Sequence, residues 1–217
     1  MTFSLNEIET MGKRAARGAG LAWGLAEEAG KAARWLAARG LPGAGELGEV
    51  LTRHDGVAYE DLAPTIADGV WTAPSGRLCP LIAGPALCDR ASLLAAGETV
   101  ELGATAQPLL LVPYLAGAAK LAGTALEISW AGVALVVTAG GFTFDGDRAA
   151  LTARSVPDVR CRRADGNVTG MDIAEPNAAA VDAETWSRLE AFAQRTYAPA
   201  TETSRLVGAG AGLIDSD

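Results

Sequence analysis

Three side chains in the sequence have the chemistry to move protons or attack a substrate: Cys79, Glu27 and Glu202. Cys79 precedes Pro80, and proline favours the first turn of a helix. The pattern therefore predicts a thiol at a helix start, where the helix dipole favours the thiolate. The alternative is that Cys79 is a small buried side chain, since cysteine is among the most buried residue types.

A group of glycine and basic residues predicts a site for an anion. Gly18 and Gly20 precede a helix expected to begin at Leu21, so free backbone N–H groups and the positive end of the helix would face a ligand there. Arginine adds bidentate binding of carboxylates. The residues expected to bind the anion are Arg17, Gly18, Gly20, Arg195, Tyr197, Ser204, Arg205, Gly208 and Gly210. The alternative is an ordinary Gly/Ala tail, with Arg195 and Arg205 in surface ion pairs.

The sequence lacks the common metal-binding and nucleotide-binding motifs. It contains one histidine, His54, and no pair of cysteines at the C-x₂-C spacing typical of zinc sites. No P-loop occurs, and no G-x-G-x-x-G follows a predicted strand. We therefore expect no cofactor. His54 is expected to cap the end of a short helix, with a general acid–base role as the alternative.

Hydrophobic spacing and capping signals predict the elements that must hold these residues. Ser4 and Glu7 form a capping-box pattern at the start of a first helix, and Gly40 ends a second helix over 21–39. The later predicted elements are a helix over 84–96, a fully buried strand over 108–115, a hairpin turn at 145–146, a strand over 148–154 and a final helix over 182–197.

The order of these elements predicts an α+β fold. We expect a single domain over residues 1–217, helical over 1–66, mixed but mainly antiparallel β over 67–170, and ending over 171–217 in a helix followed by a Gly-rich tail. A chain of this length can bury a substantial core. The sequence leaves open whether the β region is a sandwich, a partial barrel or one sheet beneath the helices.

Composition and charge narrow the classes of partner. The formal charge is −8, without a block of basic residues, so nucleic acid is not an expected partner. Two long uncharged segments, 102–119 and 128–144, contain proline, glycine and β-branched residues, and they predict core strands rather than membrane spans. The first residues carry no secretory signal and the three cysteines form no disulfide framework, so we expect a cytoplasmic protein.

Two blocks of the sequence carry a resemblance. They are GAGLAWGLAEEAG over 18–30 and the ending TYAPATE over 196–202, followed by Ser204 and Arg205. They resemble a bacterial domain-of-unknown-function family that is common in alphaproteobacteria and whose members have about this length. The resemblance extends over nearly the whole chain, including Cys79-Pro80 and residues 111–114. It implies a single-domain bacterial cytoplasmic protein and supplies no catalytic residue.

Our hypothesis is an enzyme that needs neither metal nor nucleotide and acts on a small carboxylate-like or other anionic metabolite, in a lyase or isomerase type of reaction. Glu27, Glu28, Cys79 or Glu202 would handle the protons. The first alternative is a non-catalytic interaction protein, either a homodimer or an accessory subunit of an enzyme complex, with Trp23 and Trp35 at its interface. The second is a ligand-binding regulatory module that binds without turnover.

Overall fold

The chain folds as α+β, with a helical N-terminal region, as the sequence predicted. The computed structural model describes residues 1–165, 171–172 and 177–197. The helices in these ranges are α1 (Leu5–Gly18), α2 (Trp23–Ala37), α3 (Gly43–Arg53), α4 (Tyr59–Leu62), α5 (Pro80–Cys88), α6 (Ala91–Ala95), α7 (Val112–Ala122) and α8 (Ala183–Gln194). None of them is both long enough and apolar enough to cross a bilayer.

One mixed sheet of eight strands, in the order β11-β8-β7-β6-β10-β4-β3-β2, forms the β region of the described chain. All its neighbouring strands are antiparallel except β3 and β4. Two small antiparallel pairs, β1 with β12 and β5 with β9, lie outside it. The strands are β1 (Thr2–Ser4), β2 (Thr65–Ala67), β3 (Val70–Thr72), β4 (Val100–Leu102), β5 (Thr105–Ala106), β6 (Leu126–Trp130), β7 (Val133–Val137), β8 (Gly141–Gly146), β9 (Ser155–Val156), β10 (Val159–Arg163), β11 (Met171–Asp172) and β12 (Ala178–Ala180).

The predicted signals at the ends of the first two helices are present, but α2 is shorter than predicted and ends at Ala37 rather than at Arg39. Ser4 and Glu7 form the reciprocal capping box of α1. Gly40 has a φ of +70° and ends α2 in the left-handed conformation that glycine tolerates. The start of α2 differs, because the helix begins at Trp23 rather than at Leu21.

Glycines bring α1 very close to its two helical neighbours. A Cβ atom on Gly30 of α2 would lie 2.5 Å from the carbonyl oxygen of Glu9 in α1. A Cβ atom on Gly18, the last residue of α1, would overlap the carbonyl of Phe192 in α8. Side chains at these positions would push the helices apart, so the two glycines set the spacing of the helical layer.

The segment 108–115 forms a helix and not the predicted strand. Pro108–Leu111 is a 3₁₀ helix that leads directly into α7, and its leucines are fully buried. Each of these two helices has a proline in its first turn, where the fixed φ of proline suits a helix and its missing N–H would have had no partner within the helix. A short apolar run has no periodicity that separates a buried strand from a buried helix, which explains the wrong prediction. The region 67–170, predicted to be mainly β, thus also contains α5, α6 and α7.

Three other local predictions are wrong. Residues 145–146 lie inside β8, where Gly146 pairs with Val133, and they do not form a hairpin turn. Arg148–Thr152 is a 3₁₀ helix capped by the Asp147 carboxylate rather than part of a strand. The helix predicted over 84–96 begins earlier, at Pro80, and is broken into α5 and α6.

Two glycines of α2 provide a matched test of the helix contact. Gly24 is exposed and has open space around it, so Gly24→Ala should raise the free energy of unfolding by about 0.5 kcal/mol through helix propensity. Gly30→Ala should lower it by about 1–3 kcal/mol, because its methyl group would meet the α1 backbone. Urea denaturation of both variants measures the difference. Equal effects of the two substitutions would contradict the role given to Gly30.

Candidate functional site

A broad cleft of about 850 Å³ opens where α1, the start of α2 and the end of α8 meet. We call it the basic cleft. It brings together six residues that the sequence assigned to a site: Arg17, Gly18, Gly20, Glu27, Arg195 and Tyr197. These residues lie far apart in the sequence, and the packing of α8 against α1 brings them close together in space.

Two arginines give the cleft its positive charge. The Arg17 guanidinium donates to the carbonyl of Leu21 at 2.9 Å and lies over the Trp23 ring at 5.1 Å. Arg14 donates to the hydroxyl of Tyr197 at 3.2 Å. Neither arginine forms an ion pair with any carboxylate among the described residues. Their charges are therefore available to an anion.

Two of the predicted site residues are engaged in ion pairs. Arg195 holds the carboxylate of Asp55 with two hydrogen bonds of 2.6 and 2.9 Å, which is the ion pair given as its alternative interpretation. Glu27 lies 3.2 Å from Lys13. Both residues line the cleft, but neither has a free charge of its own.

The backbone cradle predicted at Gly18 and Gly20 is not present. The N–H groups of Ala19, Gly20 and Leu21 all donate to carbonyls in the last turns of α1, so none of the three is free for a ligand. Glycine is required at position 18 by the close approach of Phe192. The N–H groups of residues 19–21 therefore do not contribute to anion binding in the basic cleft.

A second cavity of about 500 Å³ lies beside the basic cleft, and residues 17–22 separate the two. We call it the apolar pocket, because Leu21, Leu51, Leu62 and Ile82 contribute to its walls. Arg17 and Gly20 line both cavities. Arg17, which has no ion pair among the described residues, thus lies at the junction of a charged cleft and an apolar pocket.

His54 lines the apolar pocket at the end of α3. Its backbone N–H donates to Val50, which confirms the predicted position at the helix end. Burial, followed by the charges of Arg53 and Arg77, lowers the pKa of His54 to about 4, so the imidazole is neutral at neutral pH. It therefore adds no positive charge to the helix end. Its Nδ1 is buried and has no hydrogen-bond partner among the described residues.

Cys79 also lines the apolar pocket and lies at the helix start that the sequence predicted, as the N-cap of α5. Its predicted thiolate character is wrong. The side chain is 2% exposed, and burial raises the pKa of the Cys79 thiol to about 12. The N–H groups of Leu81 and Ile82 lower this pKa by less than burial raises it. The buried interpretation of Cys79 is the one the structure supports.

The remaining predicted site residues, Glu202, Ser204, Arg205, Gly208 and Gly210, lie outside the described part of the chain, so their roles stay predictions. Among the described residues, no cluster of three or more histidine, cysteine or carboxylate side chains could hold a metal ion.

Sequence reasoning missed several residues. Trp23 was predicted to lie at an interface, but its ring lies beneath the Arg17 guanidinium in the basic cleft. This position follows from the start of α2 at Trp23, two residues later than predicted. Glu46 and Gln107 are buried polar residues whose only signal is a polar side chain in an otherwise apolar stretch.

The protonation state of Cys79 can be tested by alkylation with iodoacetamide at neutral pH. A rise in pKa from 9.0 to about 12 lowers the thiolate fraction about a thousandfold. Cys79 should therefore stay unmodified in the native protein and react once the protein is unfolded in urea, as followed by peptide mass spectrometry. Rapid native labelling at Cys79 would show that the thiol is exposed and reactive.

Comparison with known proteins gives one match. Residues 3–79 match a family described as "Protein of unknown function (DUF3726)". No curated protein matches the chain. The matched residues run from β1 to the N-cap of α5, so they include residues 17–22, His54 and Cys79. The predicted resemblance to an uncharacterised family is confirmed for this part of the chain, whereas its extension to residues 111–114 is outside the match. Over residues 3–79 the chain is therefore similar to this family of unknown function.

Proposed function

We propose that this protein is an enzyme acting on a small carboxylate-bearing metabolite with an apolar body. The carboxylate binds Arg17 and Arg14 in the basic cleft, and the apolar body enters the adjoining pocket. The observation that carries this proposal is the shared wall of the two cavities, which puts a guanidinium with no ion pair among the described residues beside apolar side chains. Arginine forms bidentate, charge-assisted hydrogen bonds with carboxylates, and apolar walls gain from covering hydrocarbon.

His54 is the group that we propose to exchange a proton with the substrate. Its neutral imidazole and unpartnered Nδ1 can accept a proton, whereas the Cys79 thiol is held protonated and Glu27 is paired with Lys13. Burial is the main cause of the low pKa of His54, and a bound carboxylate would offset the smaller lowering that comes from the charges of Arg53 and Arg77. The imidazole would then be a stronger base with substrate bound than without it, which suits a lyase or isomerase reaction.

The interaction hypothesis receives less support from the tryptophans. Trp35 packs against Phe142 with ring centroids 6.0 Å apart and lies beneath the Arg39 guanidinium, so it serves the fold. Trp23 is 63% exposed, but it forms part of the basic cleft. We therefore place small-molecule binding first and keep homodimerisation or binding to an enzyme partner as the alternative.

Binding of octanoate, measured by isothermal titration calorimetry, tests the proposal. Octanoate combines a carboxylate with an apolar chain that fits a pocket of about 500 Å³. Arg17→Gln should weaken binding about tenfold, since a hydrogen bond to a charged group contributes roughly 1.5–3 kcal/mol. Arg14→Gln should weaken it in the same direction.

The matched control is Arg148→Gln, which removes the same charge from an exposed position that lines neither cavity. It should bind octanoate as the wild type does. Octanol, which lacks the carboxylate, should bind much more weakly than octanoate. If the Arg17 and Arg148 variants lost affinity for octanoate equally, the loss would come from the change in net charge of the protein, and the proposed site would be contradicted.

A further inference from the structure

A third cavity, of about 570 Å³, lies apart from the other two. It is bounded by α3, the turn at Gln107, the 3₁₀ helix Arg148–Thr152 and the start of α8. We call it the Glu46 pocket. It shares no lining residue with the basic cleft or the apolar pocket.

Glu46 is the most deeply placed carboxyl group of this pocket. It is 7% exposed, and its Oε2 has no hydrogen-bond partner among the described residues. Burial, with a smaller effect from the charge of Glu49, raises the pKa of Glu46 to about 7. A buried carboxyl group without a partner is costly to the fold, which points to a partner of another kind.

Gln107 also lines the pocket and is still more buried, with 1% of its surface exposed. Neither Oε1 nor Nε2 of its amide has a partner among the described residues. Its backbone adopts a φ of +36°, a left-handed conformation that costs a residue other than glycine about 1–3 kcal/mol. Glycine would adopt this conformation more easily, so the side chain of Gln107 is retained at a cost to stability.

The charged groups at the rim of the pocket already have partners. Arg188 forms ion pairs with Glu49 and with Glu184, the latter at 3.0 Å. Asp182 accepts a hydrogen bond of 2.8 Å from the N–H of Thr185. The buried side-chain atoms of the described part of the pocket that have no hydrogen-bond partner therefore belong to Glu46 and Gln107.

The balance of charge in the lining favours a cationic group over an anionic one. Four carboxyl groups line the pocket against two guanidinium groups: Glu46, Glu49, Asp182 and Glu184 against Arg154 and Arg188. An anion would face a net negative wall. A primary ammonium can donate to a carboxylate and to an amide oxygen at the same time, and it would stabilise the ionised form of Glu46.

We propose that the Glu46 pocket is a binding site for the ammonium group of a small primary amine. Glu46 Oε2 and Gln107 Oε1 accept hydrogen bonds from the ammonium. Gln107 Nε2 donates to an oxygen that the ligand carries beside its amino group. Amino alcohols and free amino acids share this chemistry. For an amino acid, the exposed guanidinium of Arg154, which also lines the pocket, can pair with the carboxylate.

Calorimetric titration of the full chain with ethanolamine, alanine and propionate tests this site. Ethanolamine and alanine should bind at this pocket. Propionate, which has no amino group, should not, so any heat it gives from the basic cleft should be the same in the wild type and in Glu46→Gln. Glu46→Gln should weaken amine binding at least about tenfold, because it removes the charge and leaves the shape. Gln107→Gly removes the side-chain amide at a position whose left-handed backbone conformation glycine adopts easily, so the protein should stay folded. Its affinity for amines should fall to a similar extent.

The control for the charge change is Glu60→Gln, an exposed glutamate on α4 that lines none of the three cavities described. It should bind amines as the wild type does, and so should Arg17→Gln, which separates this site from the basic cleft. Comparing ethanolamine with alanine shows whether the ligand class is an amine alone or an amino acid. The proposal is overturned if neither amine binds, or if both bind equally well to the wild type, Glu46→Gln and Gln107→Gly.

Discussion

The contact of α1 with α2 and α8 is the constraint on which the candidate site depends. At Gly30 and Gly18 the backbones approach so closely that no Cβ atom fits between the helices. This spacing places residues 17–22 between the basic cleft and the apolar pocket, and it brings Tyr197 from the far end of the described chain to Arg14. Wider spacing would separate the arginines from the apolar walls, and the two cavities would no longer share Arg17.

Burial, more than helix dipoles, determines the chemistry of the titratable groups. Cys79 lies at a helix start, where the dipole favours the thiolate, yet burial raises its pKa to about 12. His54 lies at a helix end, where a cation is favoured, yet burial lowers its pKa to about 4. Both groups are therefore neutral at neutral pH. The dipole effect is about 0.3–1 kcal/mol, which is small beside the cost of removing a charge from water.

The fold class and several helix boundaries could be predicted from local signals. The Ser4–Glu7 capping box and the glycine at position 40 depend on neighbouring residues, and both appear as expected. The segment 108–115 could not be predicted in this way, because an apolar run is compatible with a buried strand or a buried helix. Its helical form depends on packing against α5 and the sheet, which are distant in the sequence.

The candidate site was predicted in part. Glycine and arginine composition identified the basic cleft, and Arg17, Arg195 and Tyr197 do meet there. An ion pair of Arg195 was the alternative interpretation, but Asp55 could not be identified as its partner, because 140 positions separate the two residues. The same limit applies to Glu46 and Gln107, since a missing hydrogen-bond partner is a property of the folded chain alone.

The most direct test of the account is the pKa of the His54 imidazole, measured by NMR with and without octanoate. The chain has one histidine, so its resonances need no assignment among several. In the free protein we expect a pKa of about 4. Octanoate at Arg17 should raise this pKa, so that binding takes up a proton when the pH lies between the free and bound values. The same pKa with and without saturating octanoate would contradict the account.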